Sequence, residues 1–113
     1  MTNIRKDQID QNRRVLTALK EHGDRLETVR EINHWAYFRT IAARTLFIEK
    51  GSVFGLRLAE TTEPTKSKLA FGAKLLHVDV PSASTMDEIA SRLADLAKET
   101  GGEYDGWETR LIK

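Results

Sequence analysis

Met86, Ile89, Ala90, Leu93, Ala94 and Ala97 recur at spacings of three and four, and this stripe constrains the chain more than any other feature. Such spacing lines one face of an α-helix and no face of a strand, so residues 85–100 must form a helix that buries that face. Its ends are marked too. Thr85-Met86-Asp87-Glu88 matches the Thr-x-x-Glu capping box, which satisfies orphan N–H groups of a first turn, and Gly101 stands where the helix stops. A second stripe, Ile9, Val15, Leu16 and Leu19, predicts a helix over 4–22 ended by Gly23, with His22 in the last turn.

Two-residue alternation marks the strands. Over 31–38, Ile32, His34, Ala36 and Phe38 point one way and Asn33, Trp35 and Tyr37 the other, and bulk on both faces predicts a central strand. Residues 53–60 alternate Phe54, Leu56 and Leu58 against Gly55, Arg57 and Ala59. Residues 69–80 form another strand, with Leu76, Val78 and Val80 as its better apolar face. Between the first two lies a predicted helix over 40–50 through Ala43, Leu46 and Phe47, ended by Gly51; residues 61–68, with Pro64, read as a connection. Glu103 to Thr109 closes the chain as a strand. Asp105-Gly106 matches a type I′ turn, but only seven residues follow it, so a strand kinked at glycine is preferred, with Trp107 as a core anchor. The order is a helix followed by β-α-β-β-α-β. That is the α+β, ferredoxin-like sandwich, an antiparallel sheet with helices on one face, here expected as a single domain over 1–113.

Several chemistries are excluded or disfavoured. With no cysteine, disulfides, thiolate zinc sites and thiol catalysis are ruled out, and a cytoplasmic location is expected. The polar start, Met1 to Asn12, is unlike a secretory signal, and no apolar run approaches a membrane span. His22, His34 and His77 lack metal-ligand spacing, and the two strand histidines read as residues with ordinary hydrogen-bond partners. Gly101-Gly102 follows a helix, whereas phosphate cradles precede one. Glu103, Asp105 and Glu108 read as solvated carboxylates rather than a catalytic pair. No catalytic, cofactor-binding or metal-binding residue is assigned, and the chain is expected not to be an enzyme.

Charge is nearly balanced at +1 but unevenly placed. From Asp79 to Glu108 eight acids face only Arg92 and Lys98. Glu88, Asp95 and Glu99 fall opposite the apolar stripe and, with Asp105 and Glu108, form a candidate acidic surface for a basic protein partner. The alternative is an RNA-binding module. RNA-recognition sheets share this element order and stack bases on aromatics, here Trp35 and Tyr37, and Ala70-Phe71-Gly72-Ala73 faintly echoes their third-strand motif. The leading basic-Gly pair and trailing aromatic of that motif are missing, so direct RNA binding is disfavoured.

Tyr104-Asp105-Gly106-Trp107-Glu108-Thr109 after a Gly-Gly helix stop resembles the closing strand of the ribonuclease E inhibitor family, regulator of ribonuclease activity B. Arg30-Glu31-Ile32-Asn33-His34-Trp35 is similar to that family's first strand, so His34, Trp35, Tyr104, Asp105, Gly106 and Trp107 carry the likeness. The resemblance implies a compact cytoplasmic bacterial α+β protein that binds ribonuclease E at its scaffold region and lowers RNA cleavage without being an enzyme. Family inhibitors are markedly acidic. This chain is nearly neutral and carries Arg39 and Arg44 around its second helix.

Overall fold

Inward-facing bulk on one strand organises everything packed above it. In the computed structural model, which describes residues 4–63 and 69–113, that strand is β1 (Arg30–Phe38), whose Ile32, His34, Ala36 and Phe38 are buried. Around it run α1 (Ile4–Glu21), α2 (Ile41–Ser52), β2 (Arg57–Thr62), β3 (Phe71–Asp79), α3 (Ala83–Glu99) and β4 (Gly102–Thr109). The four strands form one antiparallel sheet in the order β2-β3-β1-β4, with β1 central as its two bulky faces require. This is the ferredoxin-like arrangement preceded by a helix. The helices cover one face and leave the other open. No helix among the described residues is long and apolar enough to cross a membrane.

α3 lies over the β1–β4 side of the sheet and feeds two core clusters. Leu93, Leu96 and Ala97 meet Ala36, Phe38, Phe47, Leu56 and Leu75, while Met86 and Ala90 meet Leu16, Ile32 and Trp107. α1 closes the second cluster. It ends in a Schellman turn, where the Asp24 N–H donates to Leu19 O, Gly23 N–H donates to Lys20 O, and Gly23 sits at φ 94°.

Four expectations need correction. On β3, pairing of Ile32 with His77 and of His34 with Leu75 turns Ala73, Leu75 and His77 toward the helices. Leu76 and Val78 therefore face the open side, where Val78 is 58% exposed. Hydropathy favoured the other face, but register follows the partner strand, and a one-residue slip would have reversed every side chain. α2 runs two residues past the expected stop, because Gly51 is held inside the helix against Leu75: a Cβ there would lie 2.8 Å from Leu75 Cδ1. As a result, Val53 and Phe54 form an exposed turn and β2 begins only at Arg57. α3 starts at Ala83, capped by Ser82 Oγ, which accepts from Thr85 N at 3.2 Å, so Thr85 is not the cap and Glu88 pairs with Arg92 instead. Much of the expected connection over 61–68 (its Pro64–Lys68 part) lies outside the described residues.

Trp107 is buried, as expected, and its Nε1–H donates to Asn12 Oδ1 at 2.8 Å. The same oxygen accepts from Gln8 Nε2, while Asn12 Nδ2 donates to Met86 O and Asp87 Oδ1. All four capacities of that buried amide are met. Trp107→Ala should destabilise the fold by about 3–5 kcal/mol, as loss of a large core aromatic does. Trp107→Phe, which keeps most of the packing but strands Asn12, should cost about 1–3 kcal/mol. Denaturant midpoints decide; an unchanged midpoint for the alanine variant would refute the anchor role.

Candidate functional site

β4 carries the residues that most distinguish this sequence, and it is irregular where they lie. Tyr104 pairs with Ala36 and Gly106 with Trp35, leaving Asp105 as the extra residue of a β-bulge. In an unbroken strand, residues 104 and 107 would face opposite sides. The bulge resets the alternation, so Tyr104 and Trp107 both turn toward the helices while Glu103 and Glu108 turn to the open face beside Tyr37 and Asn33. Gly106 takes φ 121°, a conformation that a residue with a Cβ adopts only under strain.

On the helix side the bulge completes a buried polar chain. Tyr104 Oη lies 2.7 Å from His34 Nδ1, and His34 Nε2 lies 3.0 Å from His77 Nε2, with the imidazoles stacked at 5.0 Å. Burial lowers the His34 pKa to about 3, with His77 adding repulsion, and burial likewise lowers His77. Burial raises the Tyr104 phenol, so it keeps its proton. If that phenol donates to His34 Nδ1, then His34 Nε2–H donates to His77, and no buried donor is stranded. Nothing in the sequence spacing of 34, 77 and 104 announced this chain; the cross-strand register creates it. The two facing histidine nitrogens are occupied with each other, and among the described residues no group of three or more His, Cys, Asp or Glu is placed to hold a metal.

The open side holds an aromatic pair. Trp35 and Tyr37 are half-buried, with ring centroids 6.2 Å apart and planes within 7°. Lys74 Nζ sits 5.3 Å from the Trp35 ring, and Trp35 Nε1–H donates to Glu108 Oε1 at 3.3 Å. Tyr37 lies across Gly72, where a Cβ would come within 2.8 Å of its ring. Both aromatics face outward, as their alternation predicted.

The matching family model, described as regulator of ribonuclease activity B, spans residues 9–109. The chain belongs to the regulator of ribonuclease activity B family. No curated protein matches it. The matched span contains the whole sheet, the Asn12 anchor and the bulged strand, and the family's role is to regulate ribonuclease activity.

Within this family fold, the five carboxylates expected to meet a partner divide between two surfaces. Glu88, Asp95 and Glu99 are exposed on α3, on the helical layer, where Glu88 pairs with Arg92 at 3.2 Å and Glu99 with Lys50 at 3.1 Å. Glu108 is on the open sheet face, and exposed Asp105 is close enough to raise the Tyr37 phenol, an effect second to that of burial. An ion pair missed by sequence reading ties the α1–β1 connection to the C-terminal segment: buried Asp24 and Arg30 bond through both terminal guanidinium nitrogens, and Asp24 also accepts from Ile112 N at 3.0 Å. The Arg30 hydrogen bonds hold the Asp24 carboxyl well below the usual range.

The histidine chain makes stability depend on pH. His34 titrates near 6.5 when unfolded and near 3 when folded, so its contribution is complete above about pH 6.5 and is lost as pH falls toward 3. The unfolded state takes up the proton in that window, and stability should fall by up to about 1.4 kcal/mol per pH unit from His34 alone. Denaturant melts at descending pH should show this slope, and His34→Gln should flatten it. The same slope in that variant would assign the effect elsewhere.

Proposed function

We propose that this chain regulates a ribonuclease without chemistry of its own, by binding a protein partner, and that the partner is the scaffold region of ribonuclease E. One observation carries the reading: the family match over 9–109 falls on a sheet whose inward polar groups His34, Tyr104 and Trp107 are consumed in structural hydrogen bonds, beneath a helix that presents carboxylates to solvent. The surface pairs of Glu88 with Arg92 and Glu99 with Lys50 suit such a role. Exposed pairs hold by no more than about 1 kcal/mol, so a basic partner can displace the internal cations at little expense. A basic segment would be steered to this surface with an on-rate that falls as salt rises.

RNA binding is the second reading, favoured by the outward Trp35–Tyr37 pair. Glu103 and Glu108 stand beside those rings, and a phosphate backbone is repelled there.

Association with purified ribonuclease E scaffold across a salt series tests the proposal. Reversing Asp95 and Glu99 to Lys should slow association severalfold and leave the unfolding free energy within about 1 kcal/mol of the parent. Failure of the unaltered protein to bind even at low salt rejects this partner. Binding that ignores the double reversal rejects the α3 surface.

A further inference from the structure

No helix among the described residues covers the open sheet face, and two half-buried aromatic rings lie parallel on it at 6.2 Å. A side chain needing only to fill the sheet surface has no reason to be an indole beside a phenol. The charges around these rings are mostly negative. Glu103 is opposite Tyr37, Glu108 touches the indole N–H, Asp105 projects from the bulge, and Glu31 and Glu60 lie along the same face, against Lys74 and Arg57. Lys74 already demonstrates what the indole accepts, with its ammonium held over the ring and only a 4.0 Å contact to Glu60 opposing its departure.

We propose that this face binds an extended, arginine-bearing segment of a partner protein, with guanidinium groups stacking on Trp35 and Tyr37 and pairing with Glu103, Asp105 and Glu108. Guanidinium fits better than ammonium because it is planar, weakly hydrated, and able to stack and to bond a carboxylate in the same pose. An extended segment fits because its alternate side chains repeat every ~6.6–6.8 Å, close to the spacing of the rings. Gly72 keeps Tyr37 flat: with any side chain there, the ring must lift off the sheet. The inference rests on the reading of the chain as a protein-binding regulator and deepens it by adding a contact on the sheet to the one proposed on α3.

The test uses the full chain labelled with ¹⁵N, in which the outward, half-buried indole of Trp35 and the buried indole of Trp107 give separate reporters. A short peptide of alternating arginine and glycine, its lysine counterpart and a single-stranded RNA oligonucleotide are titrated at physiological salt. The arginine peptide should shift the Trp35 indole and leave that of Trp107 in place, and the lysine peptide should bind more weakly. Trp35→Leu should weaken binding roughly tenfold, the size of a good cation–π contact. Glu103→Gln with Glu108→Gln, exposed changes that do not touch the core, should do the same, which covers the case of a misfolded leucine variant. Equal affinity in these variants, or preferential binding of the RNA, overturns the proposal. Ribonuclease scaffold that binds parent and Trp35→Leu alike would keep the regulatory reading and reject the sheet face. Arginine peptide on Trp35 with no scaffold binding would keep the sheet face and reject that partner.

Discussion

One extra residue in β4 sets the chemistry of both sides of the sheet. Without the bulge at Asp105, strict alternation would place either Tyr104 or Trp107 in solvent, because the two are an odd number of positions apart. With it, both face the helices: Tyr104 finds His34, and Trp107 finds Asn12. The same insertion keeps Glu103 and Glu108 outward on either side of the kink. Gly106 makes this local geometry available at φ 121°. The residues of the bulged strand are therefore a structural device first, and the outward carboxylates Glu103 and Glu108 follow from it.

What the bulge aligns, buried polar bonds then hold in register. Asn12 ties α1 to α3 and β4 through one amide, and Arg13 adds two bonds to Asp87 at 2.9 and 2.7 Å. Asp24 and Arg30 join the exit of α1 to the start of β1 and to the C-terminal tail at Arg110 and Ile112. Desolvating an ion pair offsets most of its attraction, so such pairs contribute little net stability, whereas breaking one leaves a charge stranded. Their effect is to single out one placement of α1 among the many that an apolar stripe alone would tolerate.

Legibility in the sequence followed the strength of local signals. The stripe of α3 and the alternation of β1 were unmistakable, since each is set by burial on one side of a regular element, and the topology followed from their order. The face of β3 was not legible: Val78 and Val80 are more apolar than His77, and only pairing with β1 reveals that His77 points inward. Gly51 looked like a helix stop and is instead a contact with Leu75, something no window along the chain can contain. The histidine chain and the Asp24–Arg30 pair joined residues whose partners are set by the fold, and spacing carried no trace of them. Trp35 and Tyr37 were legible as outward residues, but their company was not; Lys74, Gly72 and Glu108 arrive from two neighbouring strands.

A nearly neutral molecule can still present acidic surfaces if its cations are spent elsewhere. Arg30 is buried with Asp24, and Arg44 is buried where it bonds Thr62 O and Glu63. These guanidiniums balance the formal charge but offer little to a partner. The carboxylates of the open face are mostly exposed, and their internal contacts there, Arg57 with Glu31 and Lys74 with Glu60, are long at 3.9 and 4.0 Å. Screening confines their field to roughly 8–10 Å at physiological salt, so a partner senses the local excess and not the net charge of the chain. Acidic character of the whole molecule is thus unnecessary for recognising a basic segment. What the proposed recognition would require is a rigid surface on which carboxylates and half-buried rings are held together, and the bulged strand paired to β1 has that form.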